Sequence, residues 1–135
     1  MTTSPNRVIG LIFGALYIVI GLVGFTATTG VGFFATNGGL LLGLFEVNLA
    51  HNLAHLVIGA ALFIAALAGP RISALVNSAV GAFYLVLGIA GLFLVDSEFN
   101  FLALNVADNV LHFASAAVLL AVGLGALKPV PKTAA

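Results

Sequence analysis

Four long apolar stretches restrict this chain more than any other feature of its sequence. They run from Val8 to Ala27, Val47 to Ala68, Ile72 to Val95 and Leu104 to Leu127. Each has roughly the 20 residues that an α-helix needs to cross the hydrocarbon core of a bilayer. Soluble domains carry about a quarter charged residues, whereas only 6% of these residues are charged. The sequence therefore predicts an all-α integral membrane protein, a bundle of four transmembrane helices.

The few charged residues predict the orientation of these helices. All the basic residues fall at one set of helix ends, at Arg7, Arg71, Lys128 and Lys132. The acids Glu46, Asp96 and Glu98 fall at the opposite ends. Because basic residues are enriched on the cytoplasmic side of membranes, we expect both termini to be inside the cell. The first stretch is long for a signal peptide and lacks a clear cleavage site, so we expect it to be retained as a helix.

Composition excludes several classes of function. The chain contains no cysteine, which rules out disulfides, thiolate metal sites and cysteine nucleophiles. The formal net charge is +0 and there is no basic run, so nucleic acid is not an expected partner. The expected partners are the lipid bilayer and, in any oligomer, a second copy of the chain or another membrane protein.

The chain contains an internal sequence repeat. The segment GALYIVIGLVG at 14–24 matches GAFYLVLGIAG at 81–91, and NLAHNLAHL at 48–56 matches NVADNVLHF at 105–113. The polar and aromatic matched pairs are Tyr17 with Tyr84, Asn48 with Asn105, His51 with Asp108, Asn52 with Asn109 and His55 with His112. We interpret residues 1–135 as one transmembrane domain built from two parallel-repeat helical hairpins, at about 8–68 and 72–127. Their symmetry axis should follow the membrane normal.

Small residues recur at helical spacings along the first and third apolar stretches. They include Gly14, Gly21 and Gly24 in the first and Gly81, Gly88 and Gly91 in the third. In lipid, such stripes allow helix backbones to approach closely and gain packing contacts. We therefore expect these faces to pack against other helices, and nothing in them indicates a nucleotide-binding loop.

The second and fourth stretches each begin with a polar stripe. Its residues are Asn48, His51, Asn52 and His55 in the second and Asn105, Asp108, Asn109 and His112 in the fourth. The spacing i, i+3, i+4, i+7 places each set on one helix face. An ionisable group facing lipid costs about 2.5–3.5 kcal/mol, so both stripes should turn inward. At about 1.5 Å of rise per residue, Tyr17 and Tyr84 lie at a depth in the membrane similar to that of His55 and His112. The sequence predicts a buried polar network of these ten side chains in the outer half of the bundle.

The same motifs carry a family resemblance. NLAHNLAHLVIG and NVADNVLHF, the twin Gly-Ala-aromatic helices and the chain length resemble a family of small four-helix membrane proteins. This family is found widely in actinobacteria and is catalogued as a domain of unknown function. The resemblance covers nearly the whole chain. It implies the fold and a multi-pass location in a bacterial plasma membrane, and it implies no activity.

The polar stripes allow several interpretations, of which the first is structural. Buried amides and imidazoles would join the hairpins by hydrogen bonds, each contributing about 0.6–2 kcal/mol in a bilayer. The asparagines favour this interpretation because they are poor metal ligands and good interhelical partners. It predicts a small membrane protein with a structural or interaction role. We expect no enzymatic activity, because no serine has a recognisable base and the acids are too few for a paired-carboxylate site.

The second interpretation is a metal site. His51 and His55 lie four residues apart on one helix, a spacing that allows both to bind one ion. The complete ligand set in this interpretation is His51, His55, Asp108 and His112. Such nitrogen and oxygen ligands suit zinc, or copper or nickel with altered geometry. Asn52 stands where a zinc protease would have its catalytic glutamate, which argues against a protease.

Two further interpretations use the matched histidines. His55 and His112 could be the axial ligands of a haem between the second and fourth helices. Alternatively, histidine and tyrosine could donate hydrogen bonds to a quinone or a lipid. The sequence does not identify the cofactor.

The outer loop from Thr28 to Phe45 is too apolar to extend freely into water. We expect it to lie on the bundle or at the membrane interface as a short re-entrant or amphipathic element, bent at its glycines.

Overall fold

The computed structural model describes residues 4–126, which form four long helices and one small sheet. The helices are α1 (Pro5–Ala27), α2 (Leu49–Ala68), α3 (Pro70–Leu94) and α4 (Val106–Ala126), and the strands are β1 (Gly39–Leu41) and β2 (Phe45–Val47). All four helices are long and apolar enough to cross a membrane. The predicted integral membrane four-helix bundle is therefore confirmed. Leu127, Lys128 and Lys132 lie outside the described residues.

Local sequence explains where the helices begin. Pro5 and Pro70 stand in the first turns of α1 and α3, where the missing N–H of proline has no partner to lose. The side chain of Asn48 accepts a hydrogen bond from the backbone N–H of His51, which makes Asn48 the N-cap of α2. Helix α2 therefore begins at Leu49, two residues later than predicted, because Val47 belongs to β2.

The loop between α1 and α2 contains a β-hairpin that the sequence did not predict. Strands β1 and β2 pair antiparallel, with Gly39 opposite Val47 and Leu41 opposite Phe45. The connecting turn uses positive φ angles at Leu42 (55°) and Gly43 (69°). Leu41 and Val47 are buried, so the hairpin does lie on the bundle, as expected for so apolar a loop. The expected re-entrant or amphipathic element is a short sheet.

The helices pack as two pairs around a central contact. Helix α1 packs mainly along α2, and α3 packs mainly along α4. The pairs meet where Tyr17 and Tyr84 are buried together with Leu62, Ala116 and Leu119. Apolar side chains cover the outside of the bundle, such as Val57 (68% exposed) and Phe93 (78% exposed). A bilayer accommodates such a surface, whereas water does not.

Two glycines make room for the asparagine side chains of the polar stripes. A Cβ atom added to Gly24 would overlap the side chain of Asn52, and one added to Gly91 would overlap the side chain of Asn109. The predicted small-residue faces therefore do more than bring backbones together. They admit one buried amide between the two helices of each pair.

Candidate functional site

The capping asparagines also connect the two helix pairs. The Nδ2 of Asn48 donates to the carbonyl of Phe101 at 2.8 Å, and the Nδ2 of Asn105 donates to the carbonyl of Leu44 at 2.8 Å. Asn48 makes a further bond to the carbonyl of Ala35. Asn48 thus holds the loop that precedes α4, and Asn105 holds the loop that precedes α2. These hydrogen bonds account for the first position of each polar stripe.

Asp108 is occupied in a helix cap. Its Oδ2 accepts a hydrogen bond from the backbone N–H of Asn105, whose own Oδ1 accepts one from the N–H of Asp108. This reciprocal pair is a capping box. His51 holds the matched position on α2. Among the described residues, the group of side chains close enough to share a metal ion consists of His51, His55 and His112, without Asp108.

Five aromatic rings form a closed circuit at the centre of the site. Tyr17 stacks on His55 with ring centroids 5.4 Å apart, and Tyr84 stacks on His112 at 5.1 Å. The two tyrosine rings stack on each other at 5.4 Å. His51 closes the circuit, 4.5 Å from His55 and 6.1 Å from His112. These separations are those of attractive aromatic pairs, so the tyrosines support two of the imidazoles.

The tyrosine hydroxyls do not bond to the histidines. The hydroxyl of Tyr17 donates to Ser115 Oγ at 2.6 Å. The hydroxyl of Tyr84 is buried and has no hydrogen-bond partner among residues 4–126. The sequence predicted that the tyrosines and histidines share one polar network, and in the structure they meet through their ring faces. Ser115 belongs to the site and was not predicted, since a lone serine in an apolar helix gives little signal.

Three histidines converge in this circuit to form the histidine cluster, His51, His55 and His112. They are 3%, 8% and 3% exposed. Each ring offers a nitrogen, and these three nitrogens lie within 4.8 Å of one another. The Nδ1 atoms of all three are buried without a hydrogen-bond partner in the described part of the chain. The cluster therefore brings one nitrogen from each of three rings close together, and each ring also carries a buried Nδ1 without a hydrogen-bond partner.

Asn52 and Asn109 lie outside the histidine cluster. Asn52 donates to Thr28 Oγ1 at 3.3 Å. The Oδ1 atoms of both asparagines are buried and have no partner within residues 4–126. Both amides lie between the helices of a pair, against Gly24 and Gly91. The eight stripe residues thus divide into caps, packed amides and the histidine cluster.

A cavity of about 80 Å³ adjoins the histidine cluster. We call it the apolar cavity, because its walls are mostly hydrophobic side chains of α1, the β-hairpin and α4, with Tyr17, His55, Asp108 and His112 as its polar members. A second cavity of about 20 Å³ lies against all three histidines and Tyr84. The cluster therefore has open space on two sides.

A second polar group at the arginine-bearing end was missed by sequence reasoning. Asn6 accepts hydrogen bonds at its backbone carbonyl from Ser73 Oγ (2.7 Å) and Asn77 Nδ2 (3.0 Å), and its own Nδ2 donates to the carbonyl of Val122. Asn77 was the available signal, because an amide inside a transmembrane stretch needs a partner. The hydrogen bonds of this polar group join helices of the protein to one another, so we assign the group a structural role.

The fold and this site define a class of protein: a multi-pass four-helix membrane bundle with a buried cluster of histidines near one end. Residues 7–125 match the family model described as Domain of unknown function (DUF4383), and the chain belongs to that family. The resemblance to an uncharacterised family is thereby confirmed. No curated protein and no solved structure matches the chain.

Proposed function

We propose that this membrane protein binds one transition-metal ion, zinc or copper, through His51, His55 and His112. The convergence of three buried imidazoles, with nitrogens within 4.8 Å of one another, is the observation that carries the proposal. Three nitrogen ligands from two helices suit either metal, because imidazole is a good ligand for both. The function proposed is binding, and no catalysed reaction is assigned.

The unpaired state of the histidines separates this proposal from a purely structural one. Hydrogen bonds that join the hairpins would leave few buried polar atoms free. Instead, the Nδ1 atoms of His51, His55 and His112 lack partners within residues 4–126. Each unsatisfied buried group costs about 1–3 kcal/mol, and coordination of an ion through these Nδ1 atoms would remove this cost. The capping asparagines Asn48 and Asn105, by contrast, bond across the helix pairs and carry the structural role.

The distances fit an ion after a small contraction. Zinc bound by imidazole has metal–nitrogen distances of about 2.0–2.1 Å, which places tetrahedral ligands about 3.3 Å apart. The nitrogens of the cluster, within 4.8 Å of one another, therefore approach by roughly 1.5 Å at most. Side-chain rotation of buried rings can supply such a movement. Three protein ligands leave a fourth position open, as in metal sites that bind a further ligand.

The cavities disfavour the haem and quinone alternatives. Pockets for cofactors and drug-sized ligands usually have about 300–1,000 Å³, whereas the apolar cavity has about 80 Å³. The two tyrosine rings stack in series between His55 and His112, in the place that a porphyrin would need. The hydroxyl of Tyr17, a potential quinone donor, is already bonded to Ser115.

Metal analysis of the protein purified without an affinity tag tests the proposal. We expect about one ion per chain by elemental analysis. His51→Ala, His55→Ala and His112→Ala should each lower affinity by about 100-fold or more, because each removes a ligand. Asp108→Asn keeps an acceptor for the capping box and should lower affinity by roughly 10-fold, through loss of a nearby charge.

Ser115→Ala is the matched control, since it alters a buried side chain on α4 that bonds to Tyr17 and is not one of the three proposed ligands. It should leave the metal content unchanged. A protein that contains no metal as purified and does not take up zinc or copper from buffered solutions would refute the proposal. In that case, a His55→Asn variant should be more stable than His55→Leu, because an amide preserves hydrogen bonding.

We also propose that the end bearing Arg7 and Arg71 faces the cytoplasm and that the membrane is a bacterial plasma membrane. Basic residues are enriched on the cytoplasmic side, which supports the orientation. Because the chain has no cysteine, single cysteines can report it. Ser97→Cys should react with an impermeant thiol reagent in intact cells, while Thr3→Cys and Thr133→Cys should not. Labelling at the termini would reverse the assignment.

A further inference from the structure

The apolar cavity is placed to receive a ligand of the ion proposed above. Its walls include His55 and His112, two of the three histidines in the cluster. A tetrahedral ion with three imidazole ligands keeps one open position. The smaller cavity of about 20 Å³ has room for about one water molecule, which needs roughly 10–15 Å³ measured in this way. Any larger ligand must therefore lie in the apolar cavity.

We propose that the apolar cavity binds a small neutral molecule that coordinates the metal ion through one atom. This inference rests on the proposed metal function. The cavity of about 80 Å³ holds roughly five to eight water-sized groups, which limits the ligand to a few heavy atoms. Leu41, Phe45 and Val47 provide hydrophobic walls from the β-hairpin, so the ligand body should be apolar.

The position of the cavity determines the charge of the ligand. Leu42 and Leu111 both line the cavity and are 84% and 42% exposed, so its edge reaches the apolar outer surface of the bundle. Leu111 belongs to a candidate membrane span, so a molecule that enters past it comes from the hydrocarbon phase, where ions are strongly excluded. Asp108 also lines the cavity, and its carboxylate offsets part of the positive charge of the ion, which would otherwise favour an anionic ligand. Both features favour a neutral ligand over an anionic one.

Cobalt(II) provides the test, because its visible spectrum reports the coordination of a site that suits zinc. The cobalt-loaded protein in detergent should change its spectrum on titration with imidazole, a neutral probe. Azide, a smaller anionic probe, should bind at least roughly 10-fold more weakly. Asp108→Asn should reduce this difference, mainly by strengthening azide binding.

Cavity-filling variants show where the probe binds. Ile20→Trp places an indole in the cavity wall and should abolish the response to imidazole while cobalt still binds. Leu111→Trp fills the cavity from α4 and should do the same, which protects the result against misfolding of one variant. Val19→Trp is the matched control, because Val19 is 55% exposed on α1 and does not line the cavity. It should respond like the unmodified protein.

The possible results separate the two proposals. Cobalt binding with an unchanged spectrum in imidazole would overturn the ligand inference and leave the metal function standing. If Ile20→Trp and Leu111→Trp both respond to imidazole as the unmodified protein does, the assignment to this cavity is overturned. Tighter binding of azide than of imidazole would overturn the neutral class. Failure to bind cobalt, zinc or copper would refute the metal function and this inference with it.

Discussion

The two helix pairs can be compared position by position, and they agree in their packing and differ in their chemistry. Both pairs use a capping asparagine that bonds to the opposite loop, at 2.8 Å in each case. Both place an asparagine side chain against a glycine, and both stack a tyrosine on a histidine. The shared features are those that hold helices together. They form a framework of contacts that recur in both pairs.

The differences are concentrated around the histidine cluster. The position that carries His51 in α2 carries Asp108 in α4, so one pair supplies a second imidazole and the other supplies a capping carboxylate. Ser115 accepts the Tyr17 hydroxyl, and its matched position on α2 is Ile58. Only the first pair has the β-hairpin that covers the apolar cavity. A framework of shared contacts thus carries a site to which the two pairs contribute different groups.

The largest effect on stability is expected at the caps. Asn48 is 0% exposed and makes three hydrogen bonds, to His51, Ala35 and Phe101. Asn48→Ala should therefore lower the free energy of unfolding by about 3 kcal/mol. Asn105→Ala should cost about 1 kcal/mol, because Asn105 is half-buried and Asp108 still caps α4. Unfolding in detergent, followed by circular dichroism during titration with dodecyl sulfate, measures both.

The exposed Asn37 provides a control for this comparison. Asn37→Ala should leave the midpoint of the dodecyl sulfate unfolding transition unchanged. Equal losses in the free energy of unfolding from Asn48→Ala and Asn105→Ala would show that the additional bonds of Asn48 add no stability. The caps would then be one of the features that the two pairs share.

The sequence predicted the four-helix framework better than the details of the site. Hydrophobicity and length predicted four spanning helices, because a bilayer requires about 20 apolar residues for each crossing. The spacing of His51 and His55 placed both on one face of α2, and the structure brings His112 to them. It did not reveal that Asp108 caps its own helix. Helical spacing shows which face a residue occupies and cannot show which hydrogen bond it makes.

The β-hairpin and Ser115 were unpredictable for a different reason. The strands are three residues each, too short to show the alternation that indicates a strand. Their pairing depends on a turn at Leu42 and Gly43 and on burial of Leu41 and Val47 against the helices. Such tertiary contacts are not encoded in local periodicity, and they form much of the wall of the apolar cavity.

An intermediate effect is expected where the glycines meet the amides. Gly24→Ala should destabilise the bundle by about 2 kcal/mol, because the added methyl overlaps Asn52, which is bonded to Thr28. Gly91→Ala should cost about 1 kcal/mol, since Asn109 borders a groove of about 320 Å³ into which it can turn. The same detergent titration distinguishes the two values.

Gly125→Ala is the control for these substitutions, because an added Cβ there meets no atom within 4 Å among the described residues. It should be neutral or slightly stabilising, since alanine favours the helix by up to about 1 kcal/mol over glycine. A Gly24→Ala variant as stable as the unmodified protein would show that Asn52 moves freely. The close contact would then not be part of the framework.

The smallest effect, and the sharpest test of the difference between the pairs, is expected at the tyrosine hydroxyls. Tyr17→Phe removes a hydroxyl that donates to Ser115 at 2.6 Å in a buried site, and it should cost about 1 kcal/mol because Ser115 loses its partner. Tyr84→Phe removes a buried hydroxyl that has no partner among residues 4–126, and it should be neutral or stabilising. Both variants keep the ring and its stacking on a histidine, so metal affinity should change little in either.

A double-mutant cycle of Tyr17→Phe with Ser115→Ala should give a coupling energy of about 1 kcal/mol. Tyr84→Phe with Ser115→Ala should give none, since the Tyr84 hydroxyl has no bond to Ser115 in the structure. Equal losses from the two phenylalanine variants would mean that the tyrosines are equivalent, and the asymmetry of the site would then be limited to His51, Asp108 and the β-hairpin.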